Sequence, residues 1–456
     1  MNFSKVKKFL IKNKVVIFLF IISTVFFIYQ HYVSLSWDFS VYVLNAKYLF
    51  SNGNYFEWYR APFMPFLLFL FSIFGYLASE YIYIVFVSFV FMIASIKLAK
   101  KANLNKNLFY ALMLSPFVLN FGLIVGTEAL SLSLLMLFIA YLHEKKASIF
   151  LAFSILTRYT TILYIPIVFF KKNIKEILLA FVIIVIVFSP WILFNFQEKG
   201  HPFYSTANSY ALNVEYRDYI NMPINLLDFL IPIGFYLPFL LFGLYLKAKK
   251  KLKTIDWVII VFTILAIISY IRVPHKEPRY LFNLILPSVY FSMFAFRKII
   301  KKIKNLNVNH VILAFVAINF LLAFFFFVSP RPPAGFNEGK SNLNKNCMSM
   351  SNVWPFLNYF DISTEPYTSK NQLKEKIQKG YRILFFKHTQ TPYYIQNKTF
   401  MESMPIIKQT ENYYLLGNNA KCKSIEKVDK SYLERIKSNG RDPKLHPVLP
   451  IVSKKD

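Results

Sequence analysis

The sequence predicts an α-helical polytopic membrane protein with about ten or more transmembrane or re-entrant helices and a small C-terminal α/β domain outside the membrane. Three observations predict it. Apolar residues fill 56% of the 456 positions and aromatics 19%, with 51 Phe and 30 Tyr, more apolar surface than a soluble globule can hide. Near-continuous apolar runs at Val15–Tyr29, Leu178–Phe196, Val258–Tyr270 and Val311–Val328 approach the ~20 residues that cross a ~30 Å hydrocarbon core. From Ser329 onward the composition turns polar.

The first run follows Lys5, Lys7, Lys8, Lys12 and Lys14 but lacks a small-residue cleavage pattern before Gln30 and His31, so it reads as a retained signal anchor. The net charge is +30, from 53 Lys and Arg against 23 Asp and Glu. In a soluble protein that excess would suggest nucleic acid. Here it sits mostly in loops and is better explained by topology, with no nucleic-acid partner.

Basic clusters occur at Lys5–Lys14, Lys97–Lys106, Lys145–Lys146, Lys171–Lys175, Lys247–Lys253 and Arg297–Lys304. The positive-inside rule assigns all of them to the cytoplasm. The N-terminus is then cytoplasmic in a multi-pass cell-membrane protein, and the sparsely charged loops face outward with Lys47, Arg60, Arg158, Lys199, Arg217, Arg272, Lys276 and Arg279. This alternation requires two apolar segments not to cross singly. Pro62–Leu77 is short and headed by proline, so it is expected to dip into the outer interface and return. Ser148–Phe170 is interrupted by Thr157-Arg158-Tyr159-Thr160-Thr161, which predicts two half-length helices meeting in a hairpin. Polar backbone at such a tip needs cover from protein or a water-filled cavity.

With those assignments the last span exits outward. The expected domains are 1–329, in the membrane, and 330–456, an extracytoplasmic soluble domain opened by Pro330, Pro332, Pro333 and Gly335. Within it, Asn371–Lys379 reads as a helix stopping at Gly380, and Tyr381–Phe386 and Tyr413–Leu416 read as strands. Asn397-Lys398-Thr399 is a glycosylation sequon, consistent with the outside. A Cys347–Cys422 disulfide is possible but not implied. The membrane part shows no internal repeat, and the chain has no Gly-rich phosphate loop and no Cys/His zinc pattern.

Charges beside apolar helices need compensation, because an ion at the bilayer centre costs ~2.5–3.5 kcal/mol even on lenient scales. The notable ones fall at outward ends and could surround one cavity. Asp38 precedes apolar residues at helical spacing along the membrane surface; it could be an N-cap or a general base. Glu128 could favour a helix N-terminus, bind a divalent cation or orient an acceptor. Arg158, a lone arginine between half-helices, calls for an anion: a phosphate, or an acid such as Glu128. Pro274-His275-Lys276-Glu277-Pro278-Arg279-Tyr280 packs four ionisable groups into five positions, either for substrate or for interfacial anchoring.

Taken in order, these pieces resemble the GT-C superfamily of membrane glycosyltransferases that use polyprenyl-phosphate-linked sugars. They are Asp38 after the first helix, Tyr59-Arg60-Ala61-Pro62, Thr127-Glu128-Ala129-Leu130, Leu156-Thr157-Arg158, and His275-Lys276-Glu277-Pro278-Arg279-Tyr280, which looks like the motif of dolichyl-phosphate-mannose-dependent mannosyltransferases. Many members carry two adjacent acids in the first loop, whereas Phe39 follows Asp38. The resemblance implies an inverting hexosyltransferase that moves mannose or another hexose from a polyprenyl- or dolichyl-phosphate carrier to an extracytoplasmic glycan, lipid or protein acceptor. It implies Asp38 and Glu128 as catalytic, and Arg60, Arg158, His275, Lys276, Glu277 and Arg279 as binding the substrate or carrier phosphate. Asp38, Glu128 and His275 are the candidates for a divalent cation such as Mg or Mn. The competing class is a transporter or flippase for lipid-linked glycans, which would favour inverted repeats and midplane charges; neither is evident in the sequence.

Overall fold

The computed structural model describes residues 13–215, 222–303, 307–389, 393–418 and 420–434. Lys5–Lys12, Lys304 and Arg217 lie outside the described residues. Contacts divide the chain into two units, Met1–Tyr32 with Tyr59–Val328, and Val33–Trp58 with Ser329–Asp456. The second unit thus takes in the first loop as well as the polar C-terminal segment.

In the first unit, six described helices are long and apolar enough to cross a membrane: Lys14–Val33, Tyr76–Lys101, Ile174–Lys199, Leu226–Ala248, Thr254–Arg272 and Val308–Phe325. Ile174–Lys199 buries only Ala180, Ile184 and Asn195 and exposes Leu178, Val182, Val185, Ile186, Leu193 and Phe196, the distribution expected of a helix solvated by lipid. Glu128–Ala140 is the opposite case, buried at every one of its residues. At 1.5 Å per residue its length is about 20 Å, short of the hydrocarbon thickness, so it is a core helix. Gly243 lets Leu237–Ala248 close on Ile285–Lys302, since a Cβ there would lie 1.9 Å from the Phe291 carbonyl oxygen.

Both irregular segments take the expected shape. Lys146–Thr157 is helical, Arg158 is extended (φ −147°, ψ 115°), and Tyr159–Phe170 continues as a 3-10 helix. At its far end Lys171 Nζ donates to the Leu142 and Glu144 carbonyls, at 2.6 and 3.4 Å. The segment therefore returns to where it began, with Arg158 at the tip. Phe63–Phe71 and the 3-10 turn Ser72–Phe74 end at Gly75 (φ 92°) and fold back on Tyr76–Lys101 through Phe71 and Phe86, 5.4 Å apart.

The two ends of this unit differ in chemistry. At one end Asn13 accepts from Lys106, Tyr141 lies under Lys97 and Lys146, and Lys247 pairs with buried Asp256 at 2.6 Å. At the other end lie the His31–Glu80 pair (2.8 Å) and the Glu128–Arg158 pair.

The second unit contains a five-stranded sheet in the order β3-β2-β4-β6-β5, built from β2 (Ser349–Ser351), β3 (Thr364–Pro366), β4 (Arg382–Phe386), β5 (Ile406–Gln409) and β6 (Tyr413–Leu416). Strand β2 runs parallel to β3 and β4, and β6 antiparallel to β4 and β5. A separate parallel pair joins β1 (Tyr55–Glu57) to β7 (Val428–Lys430). Lys370–Gln378 is the expected helix, burying Leu373 and Ile377. Cys347 and Cys422 form a disulfide across 75 residues, a bond that persists in oxidising compartments.

Candidate functional site

Asp38 lies in the first turn of the Trp37–Phe50 helix, and Ser36 is the N-cap, its Oγ accepting from the Phe39 amide at 3.1 Å. The N-cap reading of Asp38 is thereby corrected: the shorter Ser36 side chain sits in the extended residue ahead of the helix and reaches the orphan donor itself. Nor does this helix show one apolar face and one polar face. It buries every residue from Phe39 to Ala46, because the second unit packs around it. Asp38 is half-buried.

In the first unit the hairpin tip sets Arg158 against Glu128. Arg158 Nη1 contacts Glu128 Oε1 and lies 3.4 Å from Thr127 Oγ1, which in turn is 3.3 Å from Glu128 Oε2. Glu128 heads its helix, and Tyr83 holds the turn ahead of it by donating to the Gly126 carbonyl at 2.6 Å. Buried hydroxyls hold the tip: Ser154 donates to the Ser131 carbonyl at 3.1 Å, and Thr161 to the Arg158 carbonyl at 2.8 Å. Arg60 lies over the Tyr59 ring at 4.8 Å, and its carbonyl accepts from Tyr159, the residue next to Arg158, at 3.5 Å.

The segment after Thr254–Arg272 forms a second cluster. Glu277 accepts from His275 Nε2 at 2.8 Å and from Arg279 Nε. Burial alone would raise the Glu277 pKa, but the His275 hydrogen bond and the Arg279 charge outweigh it and hold the carboxyl below its ordinary range. Lys276 turns the other way, its Nζ donating to the carbonyls of Tyr270 and Ile271, both at 2.9 Å, and to that of Val273. It caps the negative end of that helix, and burial lowers its pKa. Asn283 Nδ2 donates to Tyr164 Oη at 2.9 Å, tying the 3-10 turn Pro278–Leu284 to the second arm of the Arg158 hairpin.

Two of the three candidate metal ligands have partners within the first unit. Glu128 is engaged by Arg158 and Thr127, and His275 by Glu277. No group of three or more His, Cys, Asp or Glu side chains gathers among the described residues.

Sequence reasoning missed three buried acids, among them Asp256, already described with Lys247. Glu80, 1% exposed, pairs with His31. Glu57, fully buried, accepts from Tyr55 in the second unit. The signal that could have found them is a carboxylate inside an apolar stretch, which must have a partner.

No protein-family model and no curated protein matches the sequence. Solved structures do. ArnT from Cupriavidus metallidurans bound to undecaprenyl phosphate matches with a TM-score of 0.62 at 10% identity, covering 88% of this chain and 97% of that one. The same protein in its apo state gives 0.60 at 10% identity with the same coverage. The oligosaccharyltransferase of Archaeoglobus fulgidus gives 0.50 at 9% identity, over 77% of this chain and 64% of that one. The match to ArnT spans nearly its full length, so both units take part in the likeness. The chain has the fold of the GT-C glycosyltransferases that its motifs resemble.

Proposed function

We propose that this chain, with its GT-C fold, is an inverting glycosyltransferase that takes a sugar from a polyprenyl-phosphate carrier and gives it to a hydroxyl of an extracytoplasmic acceptor. The observation that carries the reading is the pair of arginines each held by a carboxylate, Arg158 by Glu128 and Arg279 by Glu277. A guanidinium has five donors in a rigid fork. A carboxylate fixes its plane, and a guanidinium so oriented suits a phosphate oxygen.

In the proposed step the acceptor O–H gives its proton to the Asp38 carboxylate. Its oxygen forms the new bond to the anomeric carbon as the bond from that carbon to the phosphate oxygen breaks, and the electron pair leaves with the phosphate. Attack from the opposite face inverts the centre. Phosphate is a good leaving group, so its developing charge needs stabilisation more than a strong acid. Arg158 and Arg279 supply that charge, with Arg60 beside Tyr159. His275 and Glu277 orient Arg279. The carrier is of the class bound in ArnT, whose structure holds undecaprenyl phosphate; dolichyl phosphate and a mannose or other hexose donor are the finer alternatives. The basic end of the first unit faces the cytoplasm in this reading, and the disulfide-bearing domain, residues 330–456, faces the oxidising side.

The test supplies the purified protein with radiolabelled mannosyl and glucosyl phosphates of undecaprenol and dolichol, plus an extract of glycans and lipids. Labelled product, lost in Asp38→Asn, is the expected result. Label that moves between leaflets without forming product would replace this reading with transport of lipid-linked glycans. A wild-type transfer rate in Asp38→Asn would remove Asp38 from the base role.

A further inference from the structure

The first loop contributes to the core of the second unit. Leu44 and Tyr55 pack with Met348, Met350, Trp354, Ile383 and Phe385. Trp37, next to Asp38, meets Trp354 edge-on at 4.7 Å. At the centre is the fully buried Glu57, whose carboxylate accepts from Tyr55, and Tyr55 Oη accepts from Trp354 Nε1 at 2.6 Å. Lys430 Nζ lies 4.0 Å from Glu57 Oε1 and 3.9 Å over the Trp354 ring. Strand β7 supplies Lys430 in register with Glu57 of β1, and the ladder extends through Val428 N to Asn54 O and Trp58 N to Lys430 O. Asn45, on the helix that carries Asp38, clasps Glu57 from the other side: its Nδ2 donates to the Glu57 carbonyl at 3.0 Å and its Oδ1 accepts the Glu57 amide at 2.9 Å.

A buried ion pair is a weak device for stability, since apolar replacements of both partners are often neutral or better. Register is the best-attested service of such a pair. Here the register links the last described strand to the loop that bears the proposed base. We propose that Glu57, Lys430 and Asn45 are positioning residues for Asp38, and that a task of the C-terminal domain is to hold the first loop in its working conformation. The inference rests on the sugar-transfer reading for Asp38, but its structural half is testable without it.

The test uses the full chain with Lys430→Met, Lys430→Arg and the double variant Glu57→Leu with Lys430→Met. The double variant leaves no orphaned buried charge, the Tyr55 hydroxyl alone losing the Glu57 acceptor, and the β4 amides report whether the domain stays folded. Hydrogen exchange is followed over residues 37–50, with the β4 amides 382–386 as the internal control, alongside kcat and KM for the donor. In Lys430→Met and in the double variant, exchange over 37–50 is expected to rise about tenfold while β4 stays protected. The kcat is expected to fall about 10- to 100-fold with donor KM unchanged, as for a displaced reacting group, and Lys430→Arg should restore both. Wild-type exchange and kcat in the double variant would overturn the inference, as would equal loss of protection in β4. A wild-type protein without transfer activity would instead refute the function, and the exchange data would still decide the positioning.

Discussion

Removing Glu128 and Arg158 separately and together distinguishes a structural strut from a phosphate clamp. The Glu128 side chain is 2% exposed and that of Arg158 22%, so either one left alone keeps a charge in a poorly hydrated place. Breaking a buried pair costs about 3–5 kcal/mol, whereas replacing both partners with apolar residues of similar volume is near neutral. Glu128→Leu and Arg158→Met should each lower the thermal unfolding midpoint of the detergent-solubilised protein, and the double variant should recover most of the loss. Activity should behave differently. A charge-assisted hydrogen bond to phosphate contributes about 1.5–3 kcal/mol, and each ~1.4 kcal/mol is tenfold, so the folded double variant should remain about 10- to 150-fold down in kcat/KM for the donor. Initial rates against donor concentration measure this. A double variant with both wild-type stability and wild-type kcat/KM would refute the clamp and leave Arg158 a strut.

Glu277 gives a pH prediction. Its folded pKa lies below the unfolded value of about 4.3, so its contribution to stability is fully present above that value and is lost as pH falls through the lowered one. Amide protection over residues 274–284 should hold from pH 7 to pH 5 and fall in the more acidic range, an acid step that Glu277→Gln abolishes. Asn397 and Thr399 are exposed, so the protein made in a host with N-glycosylation should gain a glycan that Asn397→Gln removes. An unshifted mass would count against an extracytoplasmic second unit.

The sequence resolved best what local physics determines. Apolar runs announced the spans, and Arg158 among threonines announced a break, because an ionised side chain cannot continue a lipid-facing helix without a partner. Leu373 and Ile377 at helical spacing before Gly380 were enough to place the C-terminal helix. Long-range pairings were not legible. Glu80 meets His31 across 49 residues and Glu57 meets Lys430 across far more; nothing in the intervening sequence marks either. Strands β1, β2, β3 and β7 have three residues each, too few to show a period of two. The burial of the Trp37–Phe50 helix was misjudged for a related reason: its polar positions, Ser40 and Asn45, face buried partners, with Asn45 bonded to the Glu57 backbone, so polarity there signalled a bond instead of water.

The ion pairs made by Asp256, Glu128 and Glu277 in the first unit are of two kinds, and the difference bears on the chemistry. Lys247 with Asp256 and Tyr290 joins three helices at the basic end, with side-chain exposures of 12% for the lysine and none for the acid; this is a sealed strut. Lys276 is likewise accounted for by the helix carbonyls it caps. Arg158 and Arg279 differ from Lys247, being 22% and 24% exposed against its 12% while their carboxylates orient them. A cation that serves only to neutralise an acid gains nothing from contact with solvent, whereas one that must meet a phosphate has to be reachable from it. In the proposed reading the two arginines meet the carrier phosphate, while Lys276 ends the Thr254–Arg272 helix that precedes the turn bearing Arg279.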